Sequence, residues 1–259
     1  MIDKIVDIHS HTIPNVDDGS KSFEESIEML RLSEKSGTKT MVVTPHYFYN
    51  RFEEGYESVE KIFIELLEKV KEEKLEIEIL LGQEVFLHNS ILTLIKEEII
   101  KPIGNSRYML VEASLSDYSK DILDLIYEIR ILGFTPILAH PERYEYVQKD
   151  ITILNEFMKE GCLFQINSGS LVGIFGREAK KTSFDLVKNG YINFIGSDAH
   201  GIGVRNTDLR EGLSCLKDLN EDYYERVIRN GNLLINNKTI GDEFEILKKK
   251  KSLFDFFRR

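Results

Sequence analysis

A single-domain α/β fold, a distorted (β/α)7 barrel, is what this chain predicts, and three observations lead there. Short β-branched runs alternate with longer amphipathic segments along most of the length. No internal repeat, composition break or Pro/Gly/Ser-rich linker interrupts that order before about Thr239. Ionisable residues, histidines above all, fall just beyond the C-terminal ends of the strands, where a parallel barrel gathers its functional side chains.

The elements follow in order. Strands are expected near Ile5–His9, Thr40–Thr44, Ile77–Val85, Tyr108–Ala113, Thr135–Ala139, Leu163–Asn167 and Ile192–Gly196. The first helix opens with Ser22 and Glu25 in a Ser-x-x-Glu capping arrangement and closes at Gly37. Further helical patterns cover Tyr56–Glu73, Ile91–Ile99, Asp121–Leu132, Thr152–Lys159, Arg177–Lys188 and Leu209–Lys217. A repeated βα order implies parallel strands with helical crossovers, which an open doubly wound sheet satisfies as well as a barrel does. The clustering of unusual residues at strand ends favours the barrel.

Composition narrows the function. The 259 residues are 42% hydrophobic and 30% charged, which suits one packed domain of 1–239 rather than a disordered chain. A net charge of −10 makes a general nucleic-acid binder a poor reading, because phosphate affinity comes from clustered Lys and Arg. The longest uncharged stretch, Gly161 to Gly176, is shorter than the ~18 residues of a bilayer span. The N-terminal segment has no apolar signal region, and Cys162 and Cys215 form neither a metal-type pair nor a disulfide framework. A cytoplasmic protein is expected.

His9 and His11 form a His-x-His at the end of the first strand, where residues i and i+2 point the same way. His46 follows the second strand, Glu84 ends the third, Glu112 lies near the end of the fourth, His140 follows the fifth, and Asp198 and His200 follow the seventh. With Asp18 from the first loop these are nine candidate ligands, too many for one ion. His88, the sixth histidine, has no such placement and reads as locally bonded. Imidazole mixed with carboxylate, without thiolate, suits Mn²⁺, Fe²⁺ or Zn²⁺ better than Mg²⁺ or Ca²⁺. Two or three ions are implied, with Glu84 bridging a pair; three divalent ions would outweigh the four carboxylates by about two charges and attract an anion.

Clustered divalent ions lower the pKa of water and clamp the oxygens of an in-line displacement at phosphorus, so phosphate ester hydrolysis follows. Arg143 and Arg205, close after His140 and His200, are candidate phosphate forks. The alternative is a surface arginine paired with a neighbour such as Glu142. A cysteine-dependent tyrosine phosphatase needs Arg six residues after its Cys; here those positions hold Ser168 and Glu221. No Gly-x-x-x-x-Gly-Lys-[Ser/Thr] is present, and Gly201-Ile-Gly203 lacks the third glycine of a dinucleotide turn.

These residues resemble the polymerase-and-histidinol-phosphatase (PHP) superfamily, which carries a His-x-His at the first strand and an Asp-x-His at the last. The finer similarity is to the bacterial PHP-type tyrosine-protein phosphatases of capsule and exopolysaccharide gene clusters. It rests on His9 to Gly19, Thr44-Pro45-His46, Gly82-Gln83-Glu84, His140-Pro141-Glu142-Arg143-Tyr144 and Ser197-Asp198-Ala199-His200, and spans nearly the whole chain. The resemblance implies a PHP-type barrel with three metal ions, Mn²⁺ first. His9, His11, Glu84 and Asp198 would hold one ion; Glu84, Glu112 and His140 a second; Asp18, His46 and His200 a third. Arg143 and Arg205 would bind the substrate phosphate. Members often read His-His where this chain has His46-Tyr47, and the loop from Tyr47 to Phe52 is unusually aromatic.

The function so implied is hydrolysis of phosphotyrosine on proteins, on the tail of a membrane-associated bacterial tyrosine kinase controlling polysaccharide synthesis. A PHP phosphatase of a small metabolite such as histidinol phosphate is the sibling reading, and a non-catalytic metal-binding docking module the other class. The aromatic loop is the candidate wall for a substrate phenyl ring, or else packs on the adjacent helix. Residues 240–259 form a basic and aromatic tail, with Lys248 to Lys251 beside Leu253, Phe254, Phe256 and Phe257. Such a tail fits peripheral contact with the inner face of a membrane, or a solvated terminus.

Overall fold

The computed structural model describes residues 4–241. The tail beyond, and with it the membrane-contact reading, lies outside the described residues. The strands are β1 (Ile5–Asp7), β2 (Thr38–Val43), β3 (His46–Tyr47), β4 (Glu78–Leu81), β5 (Glu84–Phe86), β6 (Tyr108–Glu112), β7 (Thr135–Ala139), β8 (Leu163–Asn167) and β9 (Phe194–Gly196). The helices are α1 (Phe23–Lys35), α2 (Tyr56–Glu72), α3 (Ile91–Lys96), α4 (Asp121–Ile131), α5 (Glu145–Lys149), α6 (Leu154–Lys159), α7 (Ser168–Val172), α8 (Arg177–Lys188), α9 (Arg210–Leu219) and α10 (Glu221–Ile235). All strand pairing is parallel, in a three-stranded sheet β1-β2-β4 and a six-stranded sheet β3-β5-β6-β7-β8-β9.

The two sheets are one distorted barrel. Val43 pairs with Leu81 and His46 with Glu84, the same register on both sides of the break, so β2 and β3 are two halves of one strand and β4 and β5 of the next. Thr44-Pro45 and Gly82-Gln83 make the breaks; proline has no N–H to offer a ladder. Gly82 N donates to Val43 O at 2.9 Å and Glu84 N to Pro45 O at 3.0 Å, which carries the pairing across. At the far edge Ser10 bridges Ala199, with Asp198 N donating to His9 O at 2.8 Å and His11 N to Ala199 O at 2.9 Å, joining the first strand to the last.

Expected Ile77–Val85 is therefore two short strands rather than one. The Thr152–Lys159 pattern begins as a 3-10 turn, Ile151–Ile153, before α6, and α10 was missing from the expected elements. Asn220 caps α10 by accepting from Tyr223 N. Ser22 caps α1 through Glu25 N, and Glu25 reaches back to Lys21 N.

Period-two alternation sorts the strands into layers. In β6, Tyr108 and Leu110 face the barrel interior while Met109 and Val111 pack outward under the helices. In β8, Leu163 faces inward and Phe164 and Ile166 outward. Leu234 and Ile240 join the interior cluster from the end of α10 and beyond it. A separate outer cluster packs α1 and α2 against β2 and β4.

Candidate active site

The strand face that is apolar lower in the barrel becomes polar at its C-terminal end: Tyr108 and Leu110 lead to Glu112, and Leu163 leads to Gln165 and Asn167. At the end of the first strand the His9 and His11 side chains bring their Nε2 atoms to 3.1 Å of each other. Each ring is held from its other nitrogen. His9 Nδ1 donates to Gln165 Oε1 at 2.9 Å and His11 Nδ1 to Asp17 Oδ2 at 2.7 Å, which leaves the Nε2 lone pairs of both neutral rings facing inward. Gln165 in turn donates to Asn167, and Asn167 to Asp198 Oδ2 at 2.7 Å.

Asp17 is a residue that motif reading passed over in favour of Asp18. It also accepts from Gly19 N at 2.8 Å and His46 N at 2.9 Å, so it ties the first loop to the second strand. Gly19 must be glycine, because a Cβ there would lie 2.2 Å from the His11 carbonyl oxygen.

All nine expected ligands converge. Glu84 Oε2 lies 3.2 Å from His9 Nε2, 3.3 Å from His11 Nε2 and 3.0 Å from His46 Nδ1, while its Oε1 lies 2.9 Å from His140 Nε2. Glu112 approaches His140 Nε2 at 3.6 Å and His46 Nδ1 at 3.8 Å. Asp18 lies 3.3 Å from His200 Nε2 and 3.6 Å from His46 Nε2, and Asp198 Oδ1 lies 3.5 Å from His11 Nε2. Three overlapping groups are compact enough to share an ion: His11 with Asp18, His46 and His200; His9 with His11 and Glu84; His46 with Glu84 and Glu112. Here His11 and His46 each belong to two groups, whereas the resemblance gives them one apiece and puts His140 with Glu112. His140 and Asp198 sit at positive φ, 34° and 51°, a strained left-handed backbone that aims both side chains inward.

The electrostatics suit a cation. Glu84 is held well below the usual carboxylate range, the His9 and His46 charges outweighing a burial that alone would raise it. Burial, then repulsion from Glu84, pushes Glu112 up to about 9. Burial and Arg143 press His140 down to about 4. Asp17, despite burial, is lowered to about 2 by His11. Glu84 Oε2 and His140 Nδ1 are buried without a hydrogen-bond partner. Inward lone pairs at 3 Å spacing with buried orphan acceptors need either protons or metal cations between them, and the nitrogen and oxygen donor set fits the borderline divalent ions.

Both arginines reach the site, and neither pairs with Glu142. Arg143 donates to Asp198 Oδ2 at 2.8 Å and Arg205 to Asp198 Oδ1 at 2.7 Å. Glu142 is buried, where it accepts from Asn167 N at 2.9 Å and Ser170 Oγ at 2.6 Å; burial raises its carboxyl to about 7.

A cleft of about 320 Å³ opens over the cluster, lined by Asp18, His46, Glu112, His200, Arg143 and Arg205 together with Phe48, Arg51 and Phe86. The aromatic loop divides in two. Tyr47 is buried in the outer core and does not face the cleft, which corrects its place in the expected wall. Phe48 stacks on Phe86 with centroids 4.1 Å apart, and Phe52 on His46 at 5.6 Å. His88 bonds Ser90 at 3.1 Å and stacks on Tyr49, a local role as expected. Cys162 is buried, its thiol pushed up to about 12, and neither it nor Cys215 lines the cleft.

Sequence reading missed Asp17, Gln165, Asn167 and Phe86. The strand period offered a signal for Gln165 and Asn167, since both fall on the inward face of β8 behind Leu163.

Fold and donor set define a class: parallel α/β barrels with a histidine–carboxylate centre at the strand ends. Residues 5–236 match the family of capsular polysaccharide synthesis, CpsB/CapC, and the chain belongs to that family. It is similar to the tyrosine-protein phosphatase YwqE of Bacillus subtilis, 30% identical over 98% of this chain and 100% of that one. It is also similar to the tyrosine-protein phosphatase CpsB of Streptococcus pneumoniae, 32% identical over 78% of this chain and 85% of the relative. Among solved structures, one chain from the work on YwqE and CpsB, described as unique metal-dependent tyrosine phosphatases, superposes with a TM-score of 0.89. It is 28% identical and covers 96% of this chain and all of its own.

Proposed function

We propose that this protein is a metal-dependent tyrosine-protein phosphatase, and that the nine converging ligands are its metal centre. The observation that carries the reading is the coincidence of that cluster with two arginines and an aromatic wall around one cleft, in a chain of this family. His9, His11, Glu84 and Asp198 would hold one ion, Glu84, Glu112 and His140 a second, and Asp18, His46 and His200 a third, with Mn²⁺ preferred and Fe²⁺ or Zn²⁺ as substitutes. When bound, the ions supply Lewis acidity, lowering the pKa of water and neutralising phosphoryl charge.

The chain's own residues do the rest. Gln165 and Asp17 fix the imidazole tautomers so that His9 and His11 present unprotonated Nε2 atoms. Arg143 and Arg205 stand where a phosphate's oxygens take over part of Asp198's role as partner and spread charge in the transition state. The stacked Phe48 and Phe86 rings offer a flat apolar surface to a phenyl group. A leaving phenol, with pKa about 10, departs without strong general-acid help, so no acid is assigned.

The substrate would be a phosphotyrosine protein, the tail of a membrane-associated kinase of polysaccharide synthesis, met in the cytoplasm at the inner face of the membrane. Among the described residues no helix is long and apolar enough to cross a membrane. In this reading residues 1–239 are the phosphatase domain and residues 240–259 a tail that adds salt-dependent surface contact. Deleting Lys248 to Arg259 should leave hydrolysis of a soluble phosphopeptide intact and reduce sedimentation with anionic vesicles.

The deciding experiment compares a phosphotyrosyl peptide with histidinol phosphate as substrates of Mn²⁺-loaded protein. Preference for the peptide, abolished by chelation and restored by Mn²⁺ more than by Mg²⁺, is expected. Preference for histidinol phosphate, or full turnover by exhaustively chelated protein, would overturn the proposal.

A further inference from the structure

We infer that Phe175 is a positioning residue for the two phosphate-binding arginines, an inference that rests on the phosphatase reading above. The Arg143 guanidinium carbon lies 4.7 Å from the Phe175 ring centroid and that of Arg205 lies 5.3 Å from it. Three segments meet there: the 3-10 turn after β7, the loop after β9, and the loop between α7 and α8. One ring thus touches two of the three arginines that line the cleft, the two that also bond Asp198.

The ring's position is built rather than incidental. Glu142, next to Arg143, anchors the start of α7 through Asn167 N and Ser170 Oγ. Gly169 in α7 leaves room for the ring, since a Cβ there would lie 3.0 Å from Phe175 Cε2. The His-Pro-Glu-Arg segment therefore supplies Arg143 and also fixes the helix that carries the chain to the ring beneath it.

An aromatic face is suited to this task. It attracts a guanidinium through its quadrupole without using any N–H donor, so the contact does not compete with Asp198 or with phosphate oxygens for them. Asp198 is the carboxylate partner of both arginines and also a proposed metal ligand, so its hold on them is shared. The ring keeps contact while the guanidinium groups turn from Asp198 toward a phosphate, and so restricts the flexible side chains before substrate arrives.

The test pairs Phe175→Leu with Phe175→Tyr in the Mn²⁺-loaded protein. Leu should lower kcat on a phosphotyrosyl peptide about tenfold with a smaller change in KM, and Tyr should stay within about twofold of the parent. Independently of turnover, in protein loaded with diamagnetic Zn²⁺ in place of Mn²⁺, the side-chain Nε–H resonances of Arg143 and Arg205 should carry ring-current shifts that persist in Phe175→Tyr and vanish in Phe175→Leu. Equal loss in both variants, a Leu variant as active as the parent, or arginine resonances without ring-current shifts would overturn the inference. Absence of phosphotyrosyl turnover in the parent protein would instead sink the phosphatase reading, while the resonances still reported where the arginines lie.

Discussion

At one end of the barrel the interior is filled by Val6, Ile8, Tyr108, Leu110, Ile137, Leu163 and Phe194, and at the other by His9, His11, Glu84, Glu112, His140 and Asp198. Four of the strands supply both ends, with the apolar and the polar residue one to four positions apart. The apolar end is stabilised by removal of surface from water, each large side chain contributing ~1.5–3 kcal/mol. The polar end is desolvated to a similar degree, yet its groups are ionisable, and Glu84 Oε2 and His140 Nδ1 are buried without a hydrogen bond. Burial that stabilises one end is a penalty at the other, offset by ion pairs, by hydrogen bonds that Gln165 and Asp17 accept from the histidines and Asn167 donates to Asp198, and in the loaded protein by the proposed cations.

Breaking each end should therefore show up in a different measurement. Glu84→Ala removes the carboxylate common to most of the cluster and should lower kcat/KM by about a thousandfold or more, with metal content reduced. Leu110→Ala, at the apolar end, should lower unfolding stability by about 2–5 kcal/mol and leave the activity of the folded fraction near that of the parent. Loss of specific activity in Leu110→Ala with unchanged stability would mean that the two ends are not separable.

Next in size, Arg143→Ala or Arg205→Ala should lower kcat/KM by about a hundredfold with metal content unchanged. A variant that loses its metals but keeps activity per bound metal would assign its arginine a structural role. Asp17→Asn should weaken metal affinity by about ten- to a hundredfold, because the amide no longer dictates the His11 tautomer. Unaltered affinity in a metal titration would remove Asp17 from the centre.

Glu142 sharpens the comparison through pH. Its folded pKa of about 7 lies above the unfolded value, so the native state binds the extra proton and stability falls as pH rises from about 4.5 through 7. Glu142→Gln should flatten that fall, a difference of at most a few kcal/mol. Parallel stability curves for parent and variant would show that Glu142 titrates normally. The smallest effect is expected at the cleft wall: Phe48→Ala should raise KM for aryl phosphates a few-fold, about 0.5–1.5 kcal/mol, and leave a small alkyl phosphate unaffected. Equal changes for both would exclude a role in ring recognition.

Most of the barrel and the convergence of the nine candidate ligands were legible in the sequence, because both follow from local rules. A βα alternation dictates parallel strands, and in a parallel barrel every strand end opens on the same face, so residues at those ends meet whatever the details of packing. His9, His46, Glu84, His140 and Asp198 could be gathered in this way without knowing a single distance. The broken strands at Pro45 and Gly82, and α10 after so short a turn at Asn220, were not resolved by periodicity, since an apolar run does not mark where its ladder pauses.

Sequence alone thus determined the fold class and which groups come together. Tertiary structure alone decided how they face one another: that Asp17 rather than Asp18 orients His11, that Tyr47 turns into the core while Phe48 meets Phe86, and that Phe175 lies under two arginines from distant loops. The physical reason is the range of the forces. Backbone period and strand polarity are set by neighbours in the chain, whereas a side chain's partner at 3 to 5 Å is set by loops whose paths depend on everything they pack against.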